Sequence, residues 1–362
     1  MQSEQVLFGT KIMCDKTTEK IKIGGLYIGG GESVKIQSMC TTKTSDIDAT
    51  VLQIKRLQDA GCEIIRVSVL DEEDARAIKY IKNQINIPIV ADIHFSSRLA
   101  VLSIENGADK VRINPGNIGG EDKVKLVADC IKAHKIPVRV GVNTGSVEKD
   151  ILVKYGKTEV ALVESALHSV SLLEKHGVKD IVISVKASSV PLTVGAYRLL
   201  SKRTNYPLHI GVTEAGTEEI AVVKSSAALG ALLLDGIGDT IRISITDDPV
   251  KEVYAALRLL RAVGLDKNFV NVISCPTCGR CEWNSMELAK KVSAYVERYR
   301  TPLKIAVMGC VVNGPGEAKD CDIGIAGAQD SCVIFKGGEI VKKVTVASAE
   351  GEFFKEIDKY LK

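Results

Sequence analysis

From about residue 34 to 246 the chain repeats one unit eight times: an apolar, β-branched run ending in polar residues, then a helical stretch of charged and apolar residues. The runs are Val34–Met39, Glu63–Val69, Ile87–His94, Lys110–Asn114, Ile136–Asn143, Asp180–Lys186, Pro207–Glu214 and Asp239–Ile245. Stretches such as Thr50–Ala60 between them carry apolar residues at helical spacing. Several end on Gly61, Gly107 or Gly177 just before the next run, as a left-handed helix C-cap requires. Strand–helix alternation demands a parallel sheet covered on its faces. Eight such units close into a (β/α)8 barrel, whose active site lies at the C-terminal ends of the strands. A doubly wound open sheet is the alternative, but no GxGxxG follows the first run; Gly29-Gly30-Gly31 precedes it.

After about residue 268 the texture changes. Asn271–Ser274 and Lys304–Met308 read as strands, Ser285–Arg300 as a helix, Ser331–Val344 as a hairpin turning at Gly337-Gly338, and Glu350–Leu361 as an amphipathic end. At 362 residues the chain exceeds one ordinary core. The expected organisation is a barrel over 1–266 and a small α+β domain over 267–362, linked around Leu265–Phe269.

Polar residues late in the eight runs form a set: Arg66, Asp92 and His94, Arg112 and Asn114, Arg139 and Asn143, Lys186, His209 and Glu214, Arg242 and Ser244. One such arginine is ordinarily solvated or ion-paired. Five cations converging on one barrel mouth are costly to bury unless anions meet them, so a polyanionic ligand is the economical explanation. The guanidinium fork suits phosphate oxygens. Glu214, followed by a small-residue turn, reads either as a general acid or as a partner for a neighbouring cation. Asn114–Gly120 offers backbone N–H groups to phosphate.

The second domain carries Cys275-Pro-Thr-Cys278 and, thirty-two residues on, Cys310 within MGCVVNGPGE, ending at Glu317. Three thiolates suit three irons of a cubane cluster, with Glu317 as a harder, more exchangeable ligand for the fourth. Structural zinc is the competing reading; it wants a fourth Cys or His at ribbon-like spacing, which only Cys281 or Cys321 could supply. Ten cysteines in a chain with no apolar signal core argue for reduced thiols and metal ligation in the cytoplasm rather than for disulfides. Cys14, Cys40, Cys62 and Cys130 read as packing or surface residues. A net charge of +3 and 4% aromatics, nowhere alternating with basic residues, give no case for nucleic acid. No apolar run approaches the ~20 residues that span a bilayer.

The joint occurrence of VKIQSM, ADIHF, KVRINPGNIG, RVGVNTGS, HIGVTEAG, DGIGDTIRIS, SCPTCGR and MGCVVNGPGEA resembles the bacterial 4-hydroxy-3-methylbut-2-enyl diphosphate synthase (GcpE) family of non-mevalonate isoprenoid synthesis. The length is similar to that of the two-domain bacterial form. The resemblance implies a [4Fe–4S] oxidoreductase that opens the ring of 2-C-methyl-D-erythritol 2,4-cyclodiphosphate with two electrons and loss of water. Carried over by motif, Cys275, Cys278, Cys310 and Glu317 would hold the cluster. Arg66, Arg112, Arg139, Lys186, Arg242 and Ser244 would hold the cyclic diphosphate, with Asn143, His209 and Asn313 lining the site and Glu214 as acid/base. It further implies ferredoxin or flavodoxin as electron donor, and a homodimer in which one protomer's cluster domain covers its partner's barrel. Cys281, making CPTCGRC, departs from the expected pattern. Two other classes stay open on the residues alone: a metal-free transferase of the pterin-binding barrel type, and a zinc-stabilised binding module.

Overall fold

The computed structural model describes residues 17–214, 216–311, 316 and 318–361. Its first element lies outside the eightfold pattern, a short antiparallel hairpin of β1 (Ile21–Ile23) and β2 (Leu26–Ile28). Ile21, Ile23 and Ile28 pack against Ile64, Val90 and Val182 from three barrel strands and form an apolar plug. The turn uses Gly24 at φ 55°, where a Cβ would stand 2.8 Å from Asp109 Oδ1.

Eight parallel strands come next, in the expected places: β3 (Lys35–Met39), β4 (Ile64–Ser68), β5 (Ile89–Asp92), β6 (Lys110–Ile113), β7 (Val138–Asn143), β8 (Ile181–Lys186), β9 (His209–Ile210) and β10 (Thr240–Ile241). The sheet runs β8-β7-β6-β5-β4-β3-β10-β9, and a parallel bridge between Ile183 and Leu208 joins its two ends. The sheet is therefore a closed barrel rather than the open alternative. Helices separate the strands, and Asp46, Asp71, Ser96 and Ser189 cap four of them by accepting a backbone N–H. Gly61 closes the first at φ 109°, the left-handed C-cap its position foretold.

The seventh and eighth strands are much shorter than their apolar runs. Beyond Ile210 and Ile241 only single bonds such as Arg242 N–H to the Ile210 carbonyl (3.1 Å) and Thr213 N–H to the Ala187 carbonyl (3.2 Å) continue the pairing.

The described chain divides into two units after Leu265. The second is a five-stranded sheet: β11 (Val270–Ser274), β12 (Leu303–Met308) and β13 (Ile323–Gly327) are parallel, while β14 (Ser331–Lys336) and β15 (Glu339–Thr345) add on antiparallel. Gly337 and Gly338, both at positive φ, make the expected hairpin turn. Helices Ser285–Val296 and Val346–Ile357 cover one face around Val292, Ile305, Ile325 and Phe353. The other face packs Ala306, Met308, Cys321 and Phe335. No helix among the described residues is long and apolar enough to cross a membrane.

Candidate active site

Paired residues in a ladder share a face, and that face recurs every second residue. Arg66 pairs with Val90 and Val90 with Lys110; Asp92 pairs with Arg112, Arg112 with Arg139, and Asn143 with Lys186. His209 pairs with Thr240, two residues before Arg242. Val90 and Val182 meet the plug inside the barrel, so this shared face is the interior. The register thus collects Arg66, Arg112, Arg139, Asn143, Lys186, His209, Arg242 and Ser244 on one inward surface. It adds Lys110, which the late strand positions do not include because it opens its strand.

Two glycines make room for these chains. A Cβ on Gly141 would lie 2.5 Å from Arg112 Nε, and one on Gly211 would lie 2.5 Å from Lys186 Nζ and 2.7 Å from the Arg242 carbonyl. Both occupy inward positions, so Arg112 and Lys186 lie across the strands beside them. Arg112 donates from Nη2 to the Gly141 carbonyl at 3.1 Å.

Two carboxylates anchor the cations. Asp92 accepts from Arg66 Nη2 at 2.6 Å and Arg112 Nη1 at 3.3 Å, and lies 3.2 Å from His94 Nε2. Burial works to raise the Asp92 carboxyl, but Arg66, His94 and Arg112 together hold it far below the usual carboxylate range. Asp92 is therefore a hub for three basic side chains. Glu252, in the helix Pro249–Ala262, accepts from Arg242 Nε (3.2 Å) and Nη2 (3.1 Å), Ser38 Oγ (2.9 Å) and Ile245 N–H (3.2 Å). Sequence reasoning missed it, since a glutamate in a first helical turn is ordinary.

Six cations, Arg66, Lys110, Arg112, Arg139, Lys186 and Arg242, thus face two paired carboxylates among the described residues. The excess shows in the proton affinities. Burial pushes Arg139 and Lys186 well below their ordinary values, and neighbouring guanidinium groups push them further. His209 is fully buried; burial, then Arg139 and Lys186, push it well below the ordinary histidine value. Its Nδ1 lies 2.8 Å from Thr240 Oγ1 and its Nε2 3.3 Å from Lys186 Nζ, while Tyr197 donates to its carbonyl at 2.6 Å. A neutral ring fits that setting.

Glu214 stands past the end of β9, exposed and at φ 53°. Its carboxylate makes no hydrogen bond or ion pair among the described residues, so the reading of it as a neighbouring cation's partner has no support. A non-glycine residue held in the left-handed region is a mild strain of the kind that clusters at functional sites. Asn143 Oδ1 accepts the Gly145 N–H at 3.0 Å, fixing the loop after β7. The Asn114–Gly120 segment is a short helical turn over Pro115–Ile118, capped by Asn114.

In the second unit, β11 and β12 are parallel neighbours, with Ser274 opposite Val307. Cys275 and Cys310 come just after those strands and so emerge at the same end of the sheet. The Gly309 N–H donates to Cys275 Sγ at 3.1 Å. A Cβ on Gly309 would lie 2.9 Å from Cys281 Sγ and 3.4 Å from Cys275 Sγ, so only glycine fits between these thiols. Cys278 is exposed in the intervening turn. Cys281 Sγ lies 3.2 Å from the Trp283 carbonyl and 3.3 Å from Ser285 Oγ, the environment of a hydrogen-bonded thiol.

Cys321 precedes β13 at the level of Lys304, whose carbonyl takes the Asp322 N–H. It is buried at the opposite end of the sheet from Cys310, roughly 15–20 Å along the strand, and is no ligand for that site. Among the described residues no three Cys, His or carboxylate side chains converge as ligands of a single ion would. Asn313 and Glu317 lie outside the described residues, as does Cys14. Cys40 and Cys62 are buried packing residues, their thiols pushed up to about 12 by burial.

The fold and these sites define a two-domain barrel enzyme: a cation-rich (β/α)8 barrel joined to a separate thiol-bearing α+β domain. Residues 18–257 match the GcpE TIM-barrel domain and residues 271–359 the GcpE protein C-terminal domain. The chain belongs to the GcpE family. It is 57% identical over 348 residues to a protein of Caldanaerobacter subterraneus subsp. tengcongensis named 4-hydroxy-3-methylbut-2-en-1-yl diphosphate synthase (flavodoxin), covering 96% of this chain and 98% of that one. A Ruminiclostridium cellulolyticum protein of the same name is 51% identical, over 94% of this chain and 97% of its own. Among solved structures, dihydropteroate synthase from Stenotrophomonas maltophilia superposes with a TM-score of 0.50 at 14% identity, over 68% of this chain and 98% of that one. That likeness is one of barrel fold alone.

Proposed function

We propose that this protein catalyses the reductive ring opening and dehydration of 2-C-methyl-D-erythritol 2,4-cyclodiphosphate to (E)-4-hydroxy-3-methylbut-2-enyl diphosphate, with electrons from flavodoxin. The observation that carries this reading is the surplus of inward cations in the barrel. Six cationic side chains against two engaged carboxylates call for a ligand with several negative charges. A diphosphate supplies them.

The donors of the second domain suit a [4Fe–4S] cluster. Cys275, Cys278 and Cys310 are soft ligands of the kind iron–sulfur clusters take, and Gly309, whose N–H donates to Cys275 Sγ, lets the backbone approach that thiol closely. Glu317 would be the fourth ligand. When bound, the cluster supplies one-electron reduction, delivered twice.

The chain's own residues do the rest. Arg66, Arg112, Arg139, Lys186, Arg242 and Ser244 grip the phosphoryl oxygens, and Asn143 and His209 line the pocket; Asn313, outside the described residues, would join them by the family motif alone. Asp92 and Glu252 hold Arg66, Arg112 and Arg242 in place beforehand, so little ordering remains when the substrate binds. Glu214, unpaired at the mouth, delivers a proton to the hydroxyl that leaves as water. Cations and thiols lie in separate folding units, so turnover requires them to meet. A homodimer, with the cluster domain of one protomer over its partner's barrel, meets that need.

The test is anaerobic. Reconstituted protein with reduced flavodoxin and the cyclic diphosphate should give the linear allylic diphosphate, with two electrons consumed per product. Glu317→Cys should keep a reducible cluster yet turn over poorly, because a fourth thiolate does not step aside. A colourless protein with tightly bound zinc, or full activity without iron, would overturn the reading.

A further inference from the structure

Just above the apolar plug, the barrel interior holds polar groups that nothing among the described residues satisfies. Lys110 Nζ, Arg139 Nε and Nη1, and both amide atoms of Gln37 are buried without a hydrogen-bond partner. Each of these residues is at most 1% exposed. Lys110 pairs with Val90, and Gln37 with Ile64, and both of those partners touch the plug. Lys110 and Gln37 therefore rise from the floor of the barrel, at the level of Arg66 and Arg139, whose ladder partners Val90 and Val182 also touch the plug, and below Asn143 and Lys186.

A lysine buried for structural reasons has a carboxylate in reach. Here the groups facing Lys110 are Arg139 on β7, Arg66 on β4 and His209 on β9, all basic. Asp92, on adjacent β5, is engaged by Arg66 and Arg112, and Glu252 by Arg242. Burial first, then Arg139 and Arg66, push Lys110 well below the ordinary lysine value.

We infer that Lys110, with Arg139 and Gln37, forms a floor subsite that takes oxygens of one phosphoryl group of the bound ligand. The subsite rests on the diphosphate reading and extends it downward. Anionic oxygens against Lys110 Nζ raise the proton affinity that burial and the neighbouring cations lower, so the shift on binding is toward proton uptake at the amine.

The experiment is calorimetric titration of inorganic pyrophosphate into the full-length protein, at one pH, in buffers of contrasting protonation enthalpy. Lys110→Met keeps the bulk and removes the amine. It should bind pyrophosphate roughly tenfold more weakly, with net proton uptake lower than wild type. Arg112→Ala should also weaken binding while leaving the uptake unchanged. If Lys110→Met does not fold, Lys110→Arg decides: it should bind with the uptake reduced to what the other groups, Lys186 among them, contribute, and wild-type uptake would overturn the subsite. A folded Lys110→Met with wild-type affinity and uptake overturns it too, leaving the mouth intact. A wild-type protein indifferent to pyrophosphate would remove the diphosphate reading and the subsite with it.

Discussion

Replacing Asp92 with Asn keeps the side chain's shape and removes the charge that ties Arg66 to Arg112. In the native barrel both carboxylate oxygens are used, Oδ2 by Arg66 at 2.6 Å and Oδ1 by Arg112 at 3.3 Å, with Asp92 2% exposed. An amide keeps one acceptor and turns an NH2 toward the other guanidinium. Breaking a buried pair by neutralising one partner costs about 3–5 kcal/mol, and the retained acceptor places Asp92→Asn near the lower end. For a barrel of this size each kcal/mol shifts Tm by about 2–4 °C, so a fall of roughly 6–12 °C is expected. Saturating pyrophosphate offers fresh anions to the same two guanidinium groups, so the deficit should shrink in its presence. Differential scanning calorimetry of wild type and variant, with and without pyrophosphate, reads both quantities. An unchanged apo Tm would show that Asp92 does not anchor the pair. An equal fall in both conditions would show that Arg66 and Arg112 do not meet phosphate.

Cys275→Ala, Cys278→Ala and Cys310→Ala should each retain well below wild-type iron and sulfide after anaerobic reconstitution, whereas Cys321→Ala, at the far end of the sheet, should retain a full complement. Glu214→Gln should lower turnover by about 10²–10⁴ with substrate still bound; near-normal kcat would return Glu214 to a structural role. Gly211→Ala should abolish diphosphate binding, because its Cβ meets both Lys186 Nζ and the fixed Arg242 carbonyl. Gly141→Ala, which meets only the movable Arg112 side chain, should weaken binding less, and equal affinities for the two would refute the crossing geometry. Below the unfolded histidine value of ~6.5 the unfolded chain takes up a proton that neutral, buried His209 does not. Stability should therefore be intact above that pH and fall below it, by up to about 1.4 kcal/mol per pH unit. A His209→Asn variant with the same acid slope would contradict this.

The range of the forces involved sets how much of the protein was written in local pattern. Alternating apolar runs and helical stretches ordain a parallel, two-sided sheet, because each element must bury its own apolar face; the eight strands stand where those runs stand. The glycine C-caps and the Gly337-Gly338 turn are equally local, being demands of backbone sterics on single residues. The inward placement of Arg66, Arg112, Arg139, Lys186 and Arg242 comes from period two along each strand. Other features needed the closed barrel. Whether the sheet closes depends on Ile183 meeting Leu208, a contact between segments that no local pattern links. The hairpin plug, Glu252 beneath Arg242, and Lys110 among other cations are all pairings across the fold. In the second domain the spacing of the cysteines left Cys321 open as a ligand. Strand direction sent it to the opposite end of the sheet, because parallel neighbours bring together only the residues just beyond their C-terminal ends. Local sequence determines which face and which end each residue takes, and only the tertiary structure decides which charges on that face must share one dry interior.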